Sequence, residues 1–121
     1  MKPDALAALE RPARLRAELE LKKLAAFKAH VDAAQGRVDA SRAAMAQSYA
    51  AEAPLSVAEA RMANAQAARA ARELTRADRE LRQIEPRFRQ MQKQAAREFG
   101  RAEALADLHQ RAVRAARKAA E

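Results

Sequence analysis

The sequence predicts an all-α protein built from two long antiparallel helices, a coiled-coil hairpin. Alanine makes up about 30% of the 121 residues and only 2 are glycine. Alanine has the highest helix propensity, and long segments rich in Ala, Glu, Arg and Leu are typical of long helices. A turn signal lies near the middle of the chain, and apolar residues recur every seven positions on both sides of it, as in the contact seam of a coiled coil.

The composition limits the kind of core that this chain can build. Leu, Ile, Val and Phe together make up about 16% of the residues, and the net charge is +8. So little bulky apolar surface does not form a globular core, but it is enough for a seam between two helices. The chain has no cysteine, and no apolar run reaches the ~18 residues of a membrane span. We therefore expect a single cytoplasmic domain over residues 1–121.

The first helix is predicted over about residues 12–51. Pro12 suits the first turn of a helix, because the N–H that proline lacks would have no intrahelical partner there. The contact seam is predicted from a seven-residue repeat with intermediate positions: Leu24, Val31, Val38 and Met45, with Phe27, Ala34, Ser41 and Ser48 between them.

A turn is predicted at residues 52–56. Pro54 disfavours helix at the residue before it. The following segment, Ser56-Val57-Ala58-Glu59, fits a capping box, in which the serine side chain accepts from the Glu59 amide and the glutamate reaches back. A proline stop followed by a capped start predicts a short connection between antiparallel helices.

The second helix is predicted over about residues 57–119. Its seam consists of Ala60, Ala67, Leu74, Leu81, Phe88 and Ala95, with Ala63, Ala70, Ala77, Ile84 and Met91 between them. Pro86 lies inside this helix, where proline removes a backbone hydrogen bond and clashes with the preceding turn. We therefore expect the second helix to be kinked near Pro86.

Folding the chain about residues 53–54 predicts which positions meet. Val38 is then expected to face Ala67 and Ala70, and Leu15 and Leu19 are expected to face Phe88 and Met91. If helix 1 begins at Pro12, residues 96–121 of helix 2 overhang its end. Either Leu6 and Leu9 fold back over part of this overhang, or it is a docking surface for another chain.

No pattern in the sequence indicates an active site. The two histidines, His30 and His109, are far apart and are expected on the solvated helix surface. There is no metal-ligand cluster, glycine-rich phosphate loop or nucleophile elbow, and a two-helix hairpin offers no concave substrate pocket. We therefore predict a protein that is not an enzyme, has no cofactor or metal, and acts by contacting other macromolecules.

The predicted overhang carries the candidate binding residues. Exposed apolar patches usually mark interfaces, and a run of cations follows them. These cations either complement the helix dipole and keep the helix soluble, or form a basic face for an acidic protein surface or nucleic acid. The near-absence of aromatic residues argues against nucleic acid. The candidates are Phe99, Leu105, Leu108, Arg111, Val113, Arg114, Arg117 and Lys118.

With this architecture, the chain resembles the small stalk proteins of type III export, the flagellar FliJ and injectisome YscO family. The resemblance lies in the size, the Ala/Arg/Glu/Gln-rich hairpin, the leucine-bearing segment Leu15–Leu24 and the charged segment Glu103–Arg111. It implies a stalk whose terminal end, residues 12–28 with 84–118, inserts into the hexameric export ATPase. It also implies that the turn end contacts the export gate, and in some members export chaperones, through Tyr49, Leu55 and Met62.

Two other functions stay open at this point. A generic oligomeric coiled-coil scaffold would share the same helical composition and seam. A basic helical protein associated with nucleic acid would share the positive charge of +8.

Overall fold

Two helices account for nearly all of the chain: α1 spans Pro3–Ala50 and α2 spans Val57–Ala120. They are seen in a computed structural model, which describes residues 2–50, 53–54 and 56–121. The two helices pack against each other as an antiparallel hairpin, which confirms the predicted fold class. The chain divides into two compact units. We call Met1–Phe27 with Phe88–Glu121 the terminal unit, and Lys28–Arg87 the turn unit.

The predicted start of the first helix at Pro12 is wrong, because α1 begins at Pro3 and continues through Pro12. Two contacts hold the segment before this proline in the helix. Leu6 is buried, and a carboxylate oxygen of Glu10 lies 3.0 Å from His109 Nδ1 of α2. These contacts offset the cost of a proline in a helix interior, which is about 3 kcal/mol. α2 also continues through Pro86 without a break; the kink there stays a prediction.

The core of the turn unit lies in the predicted seam. Ala34, Val38, Ala77 and Leu81 form one buried cluster, and Val31, Leu74 and Ile84 pack against it. Val38 is only 1% exposed. Small alanines alternate with larger side chains across this seam, so the larger side chains of each helix can pack against alanines of the other.

The seam of the terminal unit combines an aromatic pair with buried alanines. The rings of Phe27 and Phe88 are stacked, with centroids 6.3 Å apart and an interplanar angle of 13°. Ala17 and Ala95 are both buried. An offset aromatic pair contributes about 0.5–1.5 kcal/mol beyond the area that it buries.

The predicted register of the hairpin is wrong, although the predicted faces are right. Phe27 stacks on Phe88 and Arg37 pairs with Glu80 at 2.7 Å, whereas the predicted register placed residues 80 and 70 opposite them. A seam that repeats every seven residues presents the same two faces after a displacement of about one heptad. The apolar pattern therefore determines which faces meet but leaves the register open.

The start of α2 has the predicted serine cap. The Glu59 amide donates to Ser56 Oγ at 3.1 Å, and the Ala60 amide donates to the Ser56 carbonyl at 3.0 Å. Ala53, Pro54 and Ser56 lie outside both helices, while residues 51, 52 and 55 of the connection are outside the described residues. Ser56 thus satisfies amides that the first turn of α2 cannot pair internally.

We expect Ser56→Ala to lower the free energy of unfolding by about 1 kcal/mol, because it removes the side-chain acceptor of the Glu59 amide. Thermal melts followed by circular dichroism measure this loss. Ser48→Ala is the matched control, since Ser48 Oγ donates to the Ala44 carbonyl within α1, a bond that slightly disfavours helix. A Ser56 variant as stable as wild type would mean that the cap contributes nothing.

Candidate docking surfaces of the terminal unit

The terminal unit carries most of the charge and most of the exposed apolar side chains. It has 14 cationic and 8 acidic residues, a net charge of +6, whereas the turn unit has 10 and 8. Nine large apolar residues are exposed among the residues that the structure describes, and three of them belong to the turn unit: Tyr49, Val57 and Met62. The other six belong to the terminal unit: Leu9, Leu15, Leu19, Leu21, Phe99 and Leu108.

The predicted binding residues of α2 are only partly uncovered. Phe99 and Leu108 are each 47% exposed, but Leu105 and Val113 are half-buried. The prediction that all four lie beyond the reach of the first helix is therefore wrong. The physical reason is the earlier start of α1 and the displaced register, which bring Glu10 opposite His109. The overhang is correspondingly shorter than predicted.

Phe99 and Leu108 do not share a surface. They are nine residues apart on one continuous helix, and each residue of an α-helix turns the chain by about 100°. Nine residues therefore place the two side chains about half a turn apart, on opposite sides of α2. The terminal unit has separate apolar surfaces rather than the single patch that the sequence suggested.

The basic run at the end of α2 is exposed, and one of its members has a partner. Arg111 Nη2 lies 3.1 Å from Asp107 Oδ2, one turn earlier in the same helix. Arg114, Arg117 and Lys118 have no ion pair within the described part of the chain. Three cations are therefore available to an acidic surface, while an exposed pair such as Arg111–Asp107 adds only about 0.3–0.5 kcal/mol to stability.

Leu15 and Leu19 form an outer stripe that sequence reasoning missed. They were predicted in the seam, but they are 59% and 51% exposed. A signal was present in the sequence, because the heptad through Leu24 extends backwards to Ala17, which is buried. Leu15 and Leu19 are each two residues from Ala17, so they lie on the side of α1 that faces away from the seam. Exposed cations flank this outer stripe: Arg11, Arg16, Lys22 and Lys23.

An apolar groove runs between α1 and α2 within the terminal unit. It consists of two adjoining depressions of about 260 and 390 Å³ that share Leu21 and Phe99. Ala17, Ala102 and Ala106 line the first depression, and Leu24, Ala95 and Ala96 line the second. We call this feature the Leu21–Phe99 groove. Three charged residues also line the first depression: Arg14, Glu18 and Glu103.

His109 is not the freely solvated side chain that the sequence suggested. Its Nδ1 lies 3.0 Å from Glu10 Oε2, and the other oxygen of Glu10 pairs with Arg14. His109 is half-buried and Glu10 is mostly covered. This three-residue cluster ties the first turns of α1 to the last turns of α2. His30 is exposed on the helix surface, as predicted.

Glu98 is a buried carboxylate in the terminal unit, 5% exposed. Its Oε1 lies 3.6 Å from Arg101 Nη1 and 3.5 Å from Gln94 Nε2, while Oε2 has no hydrogen-bond partner among the described residues. A single charged residue in an otherwise apolar seam costs stability and can specify how helices align.

The turn end offers a smaller apolar surface. Tyr49 is 80% exposed and Met62 is 66% exposed. Leu55, the third residue predicted there, lies outside the described residues. Val57, 73% exposed, adds an apolar side chain that was not predicted.

Within the part of the chain that the structure describes, no three potential metal-ligating side chains lie together. Neither α1 nor α2, as described, contains an apolar stretch long enough to cross a membrane. The chain matches no protein-family model, no curated protein and no solved structure.

Proposed function

We propose that this protein is a non-enzymatic docking protein and that its terminal unit inserts into a hexameric export ATPase. The proposal rests mainly on one observation: large apolar side chains of the terminal unit remain exposed on both helices although the seam does not need them. Leu15 and Leu19 face away from the seam, and Phe99 and Leu108 lie on opposite sides of α2. Apolar surface on several sides suits a segment that is surrounded by its partner.

The charge of the terminal unit supports the same proposal. A net charge of +6, with Arg114, Arg117 and Lys118 unpaired among the described residues, favours a partner surface rich in carboxylates. Charge complementarity of this kind speeds association and orients the partners more than it strengthens binding. The choice of an ATPase ring comes from the resemblance to type III export stalks. The same resemblance assigns the export gate to the turn end, through Tyr49, Leu55 and Met62.

The direct test is an ATPase assay with the purified export ATPase of the same organism. Adding the hairpin protein is expected to raise ATP turnover. Stimulation should weaken with added salt, because exposed charges are screened over ~10 Å at 0.1 M ionic strength. An unchanged ATPase activity together with tight duplex-DNA binding that falls steeply with salt would contradict the proposal, since neutralised phosphates release counterions.

A further inference from the structure

We infer that the Leu21–Phe99 groove is a self-association surface whose occupant is the same groove of a second copy of this chain. In this arrangement two terminal units face each other across a two-fold axis parallel to the helices. Each α1 then lies over the α2 of the second copy, so that four helices pack around a shared apolar centre. The inference rests on the groove and its rim and does not depend on the proposed ATPase partner, although Phe99 could contact only one of the two, the second copy or the ATPase, at a time.

The groove has the chemistry of half a helix-bundle core. Leu21 and Phe99 are 44% and 47% exposed, and the remaining apolar lining is mostly alanine. Alanines leave room for large side chains from a facing helix. The two depressions, about 260 and 390 Å³, are wide enough for a leucine or phenylalanine side chain from the second copy. The face therefore supplies both the side chains that project and the depressions that receive them.

The charges on the rim favour a second copy over a partner of uniform charge. Arg14 on α1, which also pairs with Glu10 of its own helix, and Glu103 on α2 border the same depression. Rotation about a two-fold axis parallel to the helices does not shift a residue along that axis. It places α1 of one copy opposite α2 of the other, so residues at the same height on α1 and α2 face each other between copies. Arg14 of each copy would then meet Glu103 of the other, and Leu21 would meet Phe99. A strongly acidic partner would be repelled by Glu18 and Glu103, and a strongly basic one by Arg14.

The size and charge of the face indicate weak, reversible association. The groove extends over residues 92–106 of α2, a length of about 21 Å at the usual rise per residue. The 12 residues that line the groove are fewer than the roughly 20–30 residues per partner of a standard stable interface. The net charge of +6 on each terminal unit also opposes association. Because salt screens that repulsion, the dimer should strengthen as the salt concentration rises, unlike binding to an acidic partner.

The test is sedimentation equilibrium of the full chain up to about 1 mM, since an interface of this size is expected to be weak. Wild type is expected to dimerise with concentration, and Phe99→Glu is expected to remain monomeric. Leu108→Glu is the matched control: Leu108 has the same 47% exposure on the same helix but lies on the opposite side of it. This control variant should dimerise like wild type, and both variants should keep the helical content of wild type.

A charge exchange tests the alignment of the two copies. Arg14→Glu and Glu103→Arg should each weaken the dimer, because each places like charges opposite one another, and the double variant should restore it. All three variants are made and compared in a Glu10→Gln background, because Glu10 pairs with Arg14 within the same chain. Wild type that stays monomeric at all concentrations and salt levels would overturn the inference. Equal dimerisation of the Phe99→Glu variant would also overturn it, because the contact would then lie on another face.

Discussion

Changing Arg114 and Arg117 to glutamate is expected to abolish stimulation of the export ATPase while leaving the helices intact. Both side chains are exposed and have no ion pair among the described residues, so their replacement breaks no contact within the hairpin. On an acidic partner surface, each reversal would replace attraction with repulsion. Like charges placed opposite one another across an interface cost several kcal/mol. Such a loss would weaken binding to the ATPase enough to abolish its stimulation.

The matched control for this double variant is Arg69→Glu with Arg72→Glu. These arginines have the same three-residue spacing on α2, are also exposed and belong to the turn unit. The control changes the total charge equally and should retain most of the stimulation. Equal loss in both variants would indicate that only net charge matters. Full stimulation by the Arg114/Arg117 variant would show that the basic end of α2 does not contact the ATPase.

Replacing Val38 with aspartate is expected to unfold most of the hairpin at room temperature. Val38 is 1% exposed within the cluster of Ala34, Ala77 and Leu81. A carboxylate at this position would have no cation in the cluster to pair with it, and burying an unpaired charge costs several kcal/mol. Because small domains are stable by only about 5–15 kcal/mol, such a loss removes much of the folded population. Circular dichroism in urea measures the change.

The control for this loss is Ala43→Asp. Ala43 is exposed on the same helix, so the substitution carries the same change in charge without any burial, although Ala→Asp loses more helix propensity than Val→Asp. We expect this variant to change the free energy of unfolding by less than about 1 kcal/mol. Equal destabilisation by the two substitutions would show that Val38 is not in the core.

The seven-residue periodicity predicted the contact faces, because burial in a two-helix hairpin depends mainly on the face of the helix on which a residue lies. Val38, Leu81 and Ala95 lie at their predicted seam positions and are buried. Ser56 caps α2 as the local sequence pattern predicts. Both features depend on residues within a few positions of one another. Such short-range patterns are readable without knowing how the two helices align.

The alignment itself depends on contacts between residues that are distant in sequence. A seven-residue repeat does not predict which residues meet across the seam, such as the stack of Phe27 on Phe88 or the ion pair of Arg37 with Glu80. The start of α1 was misjudged for a related reason, since the contacts of Leu6 and Glu10 override the local signal of Pro12. Such tertiary contacts outweigh local propensity.

The misjudged alignment also changed the candidate site. A register set by the turn alone left Leu105 and Val113 uncovered and placed Leu15 and Leu19 in the seam. The structure reverses both assignments. Of the large apolar residues predicted to bind a partner through α2, Phe99 and Leu108 remain exposed. Arg114, Arg117 and Lys118 remain available to an acidic partner surface. Their roles in docking stay predictions.

The register of the hairpin is the central claim, because it decides which side chains of each helix are left for partners. The chain has no cysteine, so pairs of introduced cysteines can report it directly. Val38 shares a buried cluster with Ala77, whereas the register centred on the turn places it against Ala70. In dilute solution under mild oxidation, Val38→Cys with Ala77→Cys is expected to form an intramolecular disulfide readily, and Val38→Cys with Ala70→Cys is not. Rapid crosslinking of the Ala70 pair and none of the Ala77 pair would contradict the register.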